Sequence, residues 1–245
     1  MRIDSARALR LYARMRFSLI VLVWFVAARL GRADVPAELA AALQQFRSDV
    51  PRGWSFTQTT SAEGKSTVER SDATRPEFER WTLLQKDGRP PTPDETRAYA
   101  VGRSRRSRGG TAPKLAEQLD LSEIERVADD NQRAMFRCRL KPAENGDQTA
   151  TYLRAIVVVH KPTHTIESIE LRSTGPFSPT FGVKITELST LMTYSLPSAE
   201  IPSLPQKVAT SVRGTAFWFK SLDAGLLVVF SDYASDVKKN RPAGK

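Results

Sequence analysis

Hydrophobic positions change their rhythm along the chain, and each change marks a part. Phe17 to Ala28 (FSLIVLVWFVAA) is an unbroken apolar run behind the basic segment Met1 to Arg16. Leu39, Ala42, Leu43 and Phe46 then recur at i, i+3, i+4 and i+7, which predicts one amphipathic helix over Pro36 to Arg47. After Pro51-Arg52-Gly53 the period becomes two. Trp54, Phe56 and Gln58 alternate with Ser55, Thr57 and Thr59, Glu63-Gly64 offers a turn, and Ser66 to Arg70 and Glu79 to Leu84 read as further strands. Thr92 as cap, Pro93 at the first helical position and Glu95 reaching back predict a short helix from Pro93 to about Val101. Arg103 to Gly110 (RSRRSRGG) carries no apolar residue and reads as a mobile loop.

From Ile124 onward strands dominate. Ile124 to Ala128 turns at Asp129-Asp130-Asn131 into Arg133 to Lys141, where Ala134, Phe136, Cys138 and Leu140 share one face and Arg133, Met135, Arg137, Arg139 and Lys141 the other. Tyr152 to Val159 pairs with Ile166 to Arg172 around Lys161 to His164. Val183 to Leu196 and Gln206 to Lys220 follow, and the turn Leu222-Asp223-Ala224-Gly225 leads into Leu226 to Tyr233. About nine strands with short connections predict an antiparallel meander, because parallel strands would need helical crossovers. A sheet that wide must curl. The expected fold is therefore α+β: a curled antiparallel sheet, a half-barrel, with two or three covering helices in a single domain over 34–235, followed by a polar tail over 236–245.

The apolar run changes the picture of where this domain works. A basic start, 12 apolar residues and the small residues of Gly31-Arg32-Ala33 read as a cleaved export signal over 1–33, leaving Asp34 as the new N-terminus. Twelve residues reach only ~18 Å as a helix, short of a ~30 Å hydrocarbon core. Met15-Arg16 followed by the same run would serve equally as a start. The net charge of +10 falls to +4 on cleavage, because seven arginines and one aspartate leave with the signal. Nothing in that balance calls for nucleic acid. Cys138 is the single cysteine, so no intrachain disulfide forms and no lipid-acceptor cysteine stands at the cleavage site. A soluble periplasmic protein, stabilised by its core, is expected.

Chemistry is sparse. The chain holds no G-x-S-x-G, no H-E-x-x-H, no Walker loop and no dinucleotide fingerprint, so no enzymatic activity, cofactor or metal is predicted. His160 and His164 flank Pro162 and read as turn residues. Arg103, Arg105, Arg106 and Arg108 concentrate positive charge that suits a phosphate, a sulfate or a membrane head group, or else form a solvated loop. Phe56, Trp81, Leu83, Phe136, Trp218 and Phe230, with Trp54, are the large apolar groups on strands. They fill a core or line a hollow for an acyl chain.

The helix after the leader, the capped helix between early strands, the entry Gly182-Val183-Lys184-Ile185 and the terminal Phe230-Ser231-Asp232-Tyr233 together resemble the periplasmic lipoprotein-carrier (LolA/LolB-like) superfamily. That resemblance implies a half-barrel whose hollow holds lipid. The function expected is the binding or carrying of a lipid or other hydrophobic ligand, with transient membrane contact. The alternatives are a structural or envelope-assembly partner whose sheet is packed shut, and a hydrolase built on scattered carboxylates and the two histidines. Oligomeric state is open.

Overall fold

The period-two segments pair into one antiparallel sheet. The computed structural model describes residues 35–106, 114–142, 148–217 and 219–235, with the backbone alone at 104–106. The expected signal over 1–33, Arg108, Trp218 and the tail over 236–245 lie outside the described residues. The elements fall within the unit Pro36–Lys245. They are α1 (Ala37–Gln45), β1 (Trp54–Ala62), β2 (Lys65–Ser71), β3 (Trp81–Lys86), α2 (Pro93–Arg106), α3 (Leu115–Gln118), β4 (Leu119–Asp129), β5 (Arg133–Leu140), β6 (Leu153–His160), β7 (Thr165–Ser173), β8 (Phe177–Thr180), β9 (Val183–Tyr194), β10 (Pro205–Ala216) and β11 (Lys220–Ser235). The order across the sheet is β3-β2-β1-β11-β10-β9-β7-β6-β5-β4, with β8 continuing β7 along the first half of β9. The last strand thus returns to pair with the first. The ends of the order do not meet, so the sheet is open.

Bulges bend it. The register shifts between Ser55 and Thr57, between Val158 and Val159, and between Arg213 and Gly214, each inserting a residue that kinks the local ladder and increases its twist. At Gly214 the strands approach so closely that a Cβ would lie 2.2 Å from the Lys184 carbonyl oxygen. Only glycine fits there.

α1 lies against β6 and β7 and buries Leu39, Ala42 and Leu43 from the predicted stripe. Phe46, just past its C-terminus, meets the Tyr194 ring edge-on at 5.1 Å, and its Glu38 pairs with Arg126 of β4. Beneath it the face of β5 to β7 is closed: Phe136, Val157, Val159, Ile166 and Ile169 are each 1% exposed or less. The β5 alternation holds as read, with Ala134, Phe136 and Cys138 inward and Arg137 and Arg139 outward. Burial pushes the Cys138 thiol up to about 11. Thiol reagents at neutral pH should therefore label Cys138 slowly in the native protein and at the rate of a free thiol once urea unfolds it. Equal rates in the two states would mean that β5 presents its other face to the core.

Three local expectations are corrected. Leu222 to Gly225 has turn composition, yet these residues pair with Ser211 to Gly214 and β11 runs straight through them. The reversal comes instead at Phe217, held at φ 49°. The basic run is not loop at its start: α2 continues past Val101 to Arg106, because Tyr99 and Arg103, one turn apart, both land on the sheet. β8 was not anticipated. Pro176 and Pro179 discourage a strand reading, and only the neighbouring first half of β9 supplies its pairing.

Candidate functional site

One row of side chains crosses the face on which α1 lies. The register places Arg126, Phe136, Val157, Ile169, Met192, Val208, Val228 and Thr60 side by side from β4 to β1. The row stays apolar from Phe136 to Val228, but its burial does not. Phe136, Val157 and Ile169 are sealed, whereas Met192, Val208 and Val228 are partly open to solvent. A parallel row repeats the gradient. Cys138 and Ala155 are buried, Leu171, Thr190 and Thr210 are intermediate, and Leu226 is 39% exposed. β9, β10 and β11 therefore carry an apolar strip that neither α1 nor α2 seals. Thr190 and Thr210 satisfy one another across it at 3.1 Å, so the two hydroxyls in the strip ask little of water.

Beyond the strip the same face turns polar under α2. Gln58 of β1 and Glu69 of β2 are cross-strand partners, and Gln58 Nε2 donates to Glu69 Oε2 at 3.2 Å and to Thr60 Oγ1 at 3.2 Å. Arg103 reaches down from α2. Its NH2 group donates to Glu69 Oε1 at 2.9 Å, its Nε donates to the Tyr99 hydroxyl at 3.1 Å, and its guanidinium lies 3.9 Å from the centre of the Trp81 ring. Burial, and then the neighbouring Glu69 carboxylate, push the Tyr99 phenol up to about 12. The start of α2 is fixed by Glu95, which accepts from the Thr92 amide, from Arg89 and from Lys86. These partners hold its carboxyl well below the usual carboxylate range, the Arg89 hydrogen bond contributing most.

The residues expected at a ligand site divide along this geometry. Phe56, Trp81 and Phe230 cluster, with Phe56 5.4 Å from Trp81 and 5.9 Å from Phe230, and Leu83 is buried beside them on β3. Phe136 lies apart from them, in the sealed half. Arg103 is committed inward to Glu69, Tyr99 and Trp81. The backbones of Arg105 and Arg106 are helical, and Arg108 and Trp218 lie outside the described residues. Met192, Val208, Val228 and Leu226 were not singled out from the sequence. Their signal is a cross-strand register, which alternation within any one strand does not contain. His160 and His164 sit at the β6–β7 turn, where His160 Nδ1 is 2.7 Å from the Thr163 hydroxyl and His164 takes the left-handed position at φ 50°.

No family model matches the chain, and no curated protein matches it. Among solved structures it overlaps the crystal structure of a DUF1329 family protein from Desulfovibrio piger ATCC 29098, at 10% sequence identity over 83% of this chain and 93% of that one, with a TM-score of 0.36.

Proposed function

We propose that this is an exported periplasmic protein that holds a lipid or another elongated apolar ligand along the strip on β9, β10 and β11, with α1 and α2 as the covering helices of a half-barrel. The observation that carries the reading is the burial gradient within one apolar row, from fully sealed Phe136 to partly open Met192, Val208 and Val228. Apolar side chains left facing a space gain by meeting a hydrophobe, since about 25 cal/mol is released per Å² withdrawn from water. The polar cluster of Gln58, Glu69 and Arg103 borders the strip beside Thr60, an arrangement suited to an amphiphile whose tail lies on the strip and whose polar end meets the cluster. Export rests on the leader and on the expected N-terminus at Asp34. Binding needs no catalytic step, and none is assigned.

Oleate or dioleoyl phosphatidylglycerol should raise the melting temperature progressively with concentration, by mass action on the native state. Met192→Arg, which places a charge in the strip, should abolish that rise while leaving the ligand-free melting temperature within a few degrees. Native mass spectrometry of gently purified protein should show a co-purified lipid. If neither lipid moves the melting temperature well above micromolar concentration and no ligand co-purifies, the strip holds no lipid and a structural or assembly role replaces this one.

A further inference from the structure

Two neighbouring turns at one end of the sheet present aromatic rings to solvent. Phe181, in the β8–β9 turn, is 85% exposed; Phe219 and Phe217, in the β10–β11 turn, are 87% and 57% exposed. Scattered exposed apolar residues are ordinary, but three large rings on two joined turns form a patch. The joining is explicit. The Phe217 amide donates to the Gly182 carbonyl at 2.6 Å, and a Cβ at Gly182 would come within 3.2 Å of the Phe217 ring. Phe217 itself takes a left-handed backbone that a bulky residue adopts at a cost, and the exposed ring does not offset that cost by burial.

Within the two turn segments the charge has one sign. Segments 177–186 and 214–222 hold Lys184 and Lys220, both exposed, and contain no Asp or Glu. Along β9 the next acid is Glu187, paired with Arg213 at 3.2 Å, and along β11 it is Asp223, opposite Arg213 in the register. Exposed aromatic rings flanked by ammonium groups suit a lipid–water boundary, where rings settle at head-group depth and lysines meet anionic phosphates. A second copy fits less well, because it would bring two pairs of lysines together. We propose that this corner docks the protein on the surface of an anionic bilayer. The inference does not depend on the strip, which lies further along the same strands.

Sedimentation with phosphatidylglycerol-rich vesicles, and with phosphatidylcholine vesicles as the neutral arm, tests it on the protein as recovered from the cell. Binding should favour the anionic vesicles and fall with added salt. Phe181→Ser combined with Phe219→Ser should lower partitioning about tenfold or more, since two rings no longer enter the interface. Both rings are largely exposed, so the melting temperature of that variant should match the parent. Lys184→Gln with Lys220→Gln should remove the preference for anionic lipid while keeping residual binding. Met192→Arg should leave vesicle binding intact, which separates this surface from the strip. Absence of vesicle binding, or binding unchanged by the double serine variant, overturns the proposal. So does a concentration-dependent dimer that the serine variant dissolves and that shows no affinity for vesicles, which would make the corner an interface between copies.

Discussion

Phe136→Ala should lower the free energy of unfolding by about 3–5 kcal/mol, whereas Met192→Ala, two strands beyond Val157 on the same row, should cost about 1 kcal/mol or less. The two residues differ in surroundings more than in size. Phe136 is fully buried between Ala134 and Cys138 with the Arg126 guanidinium 5.1 Å above its ring, so truncation leaves a cavity that packed strands cannot close. Met192 already faces solvent in part, and its removal exposes little that was covered. Urea unfolding of the two variants, with slopes compared to verify the same unfolded state, gives both numbers. Losses of similar size would mean that the row is packed along its whole length. The strip would then offer no place for a ligand.

This contrast also shows what the amino-acid pattern could carry. Helix α1 and strand β5 follow from local periodicity, because one stripe or one alternating face is enough to name their buried side chains. The Thr92–Glu95 box is equally local, and the Glu95 amide lies 3.3 Å from the Thr92 hydroxyl while the Glu95 carboxylate accepts from the Thr92 amide at 2.9 Å. The strip is different in kind. Met192, Val208 and Val228 stand in strands whose two faces are both mixed, with Leu191 beside Met192 and Val229 beside Val228, so alternation names no inner face. Their common row arises only when β10 pairs with both β9 and β11 in one register, which alternation within a single strand does not contain. Leu222 to Gly225 misleads for a related reason: turn-forming composition is a local preference, and ten consecutive pairings along the β10–β11 ladder outweigh it.

The charge run illustrates the same limit and leads to the second large effect. Arg103 belongs by composition to a solvated basic loop, yet its side chain is 24% exposed and its partner Glu69 only 8%. Arg103→Ala would leave a buried carboxylate with its strongest partner removed, a change that destabilises by about 3 kcal/mol or more. By comparison Arg97→Ala, one to two turns earlier on α2, breaks a pair whose side chains are 79% and 88% exposed and should cost less than about 0.5 kcal/mol. Arg103→Lys should not restore stability, because one ammonium cannot donate to Glu69 and Tyr99 while also covering the Trp81 ring. A cycle combining Arg103→Ala with Glu69→Gln isolates the coupling, since the double variant no longer buries an uncompensated charge. The consequence reaches the proposed site. Val101 of α2 is 52% exposed, so that side chain adds little burial to hold the helix over the sheet when Arg103 is gone. Hydrogen exchange should then show α2 amides losing protection while β5 and β6 keep theirs. If Arg103→Ala and Arg97→Ala prove equally mild and α2 stays protected, the helix is held by other means and does not depend on this pair to stay beside the strip.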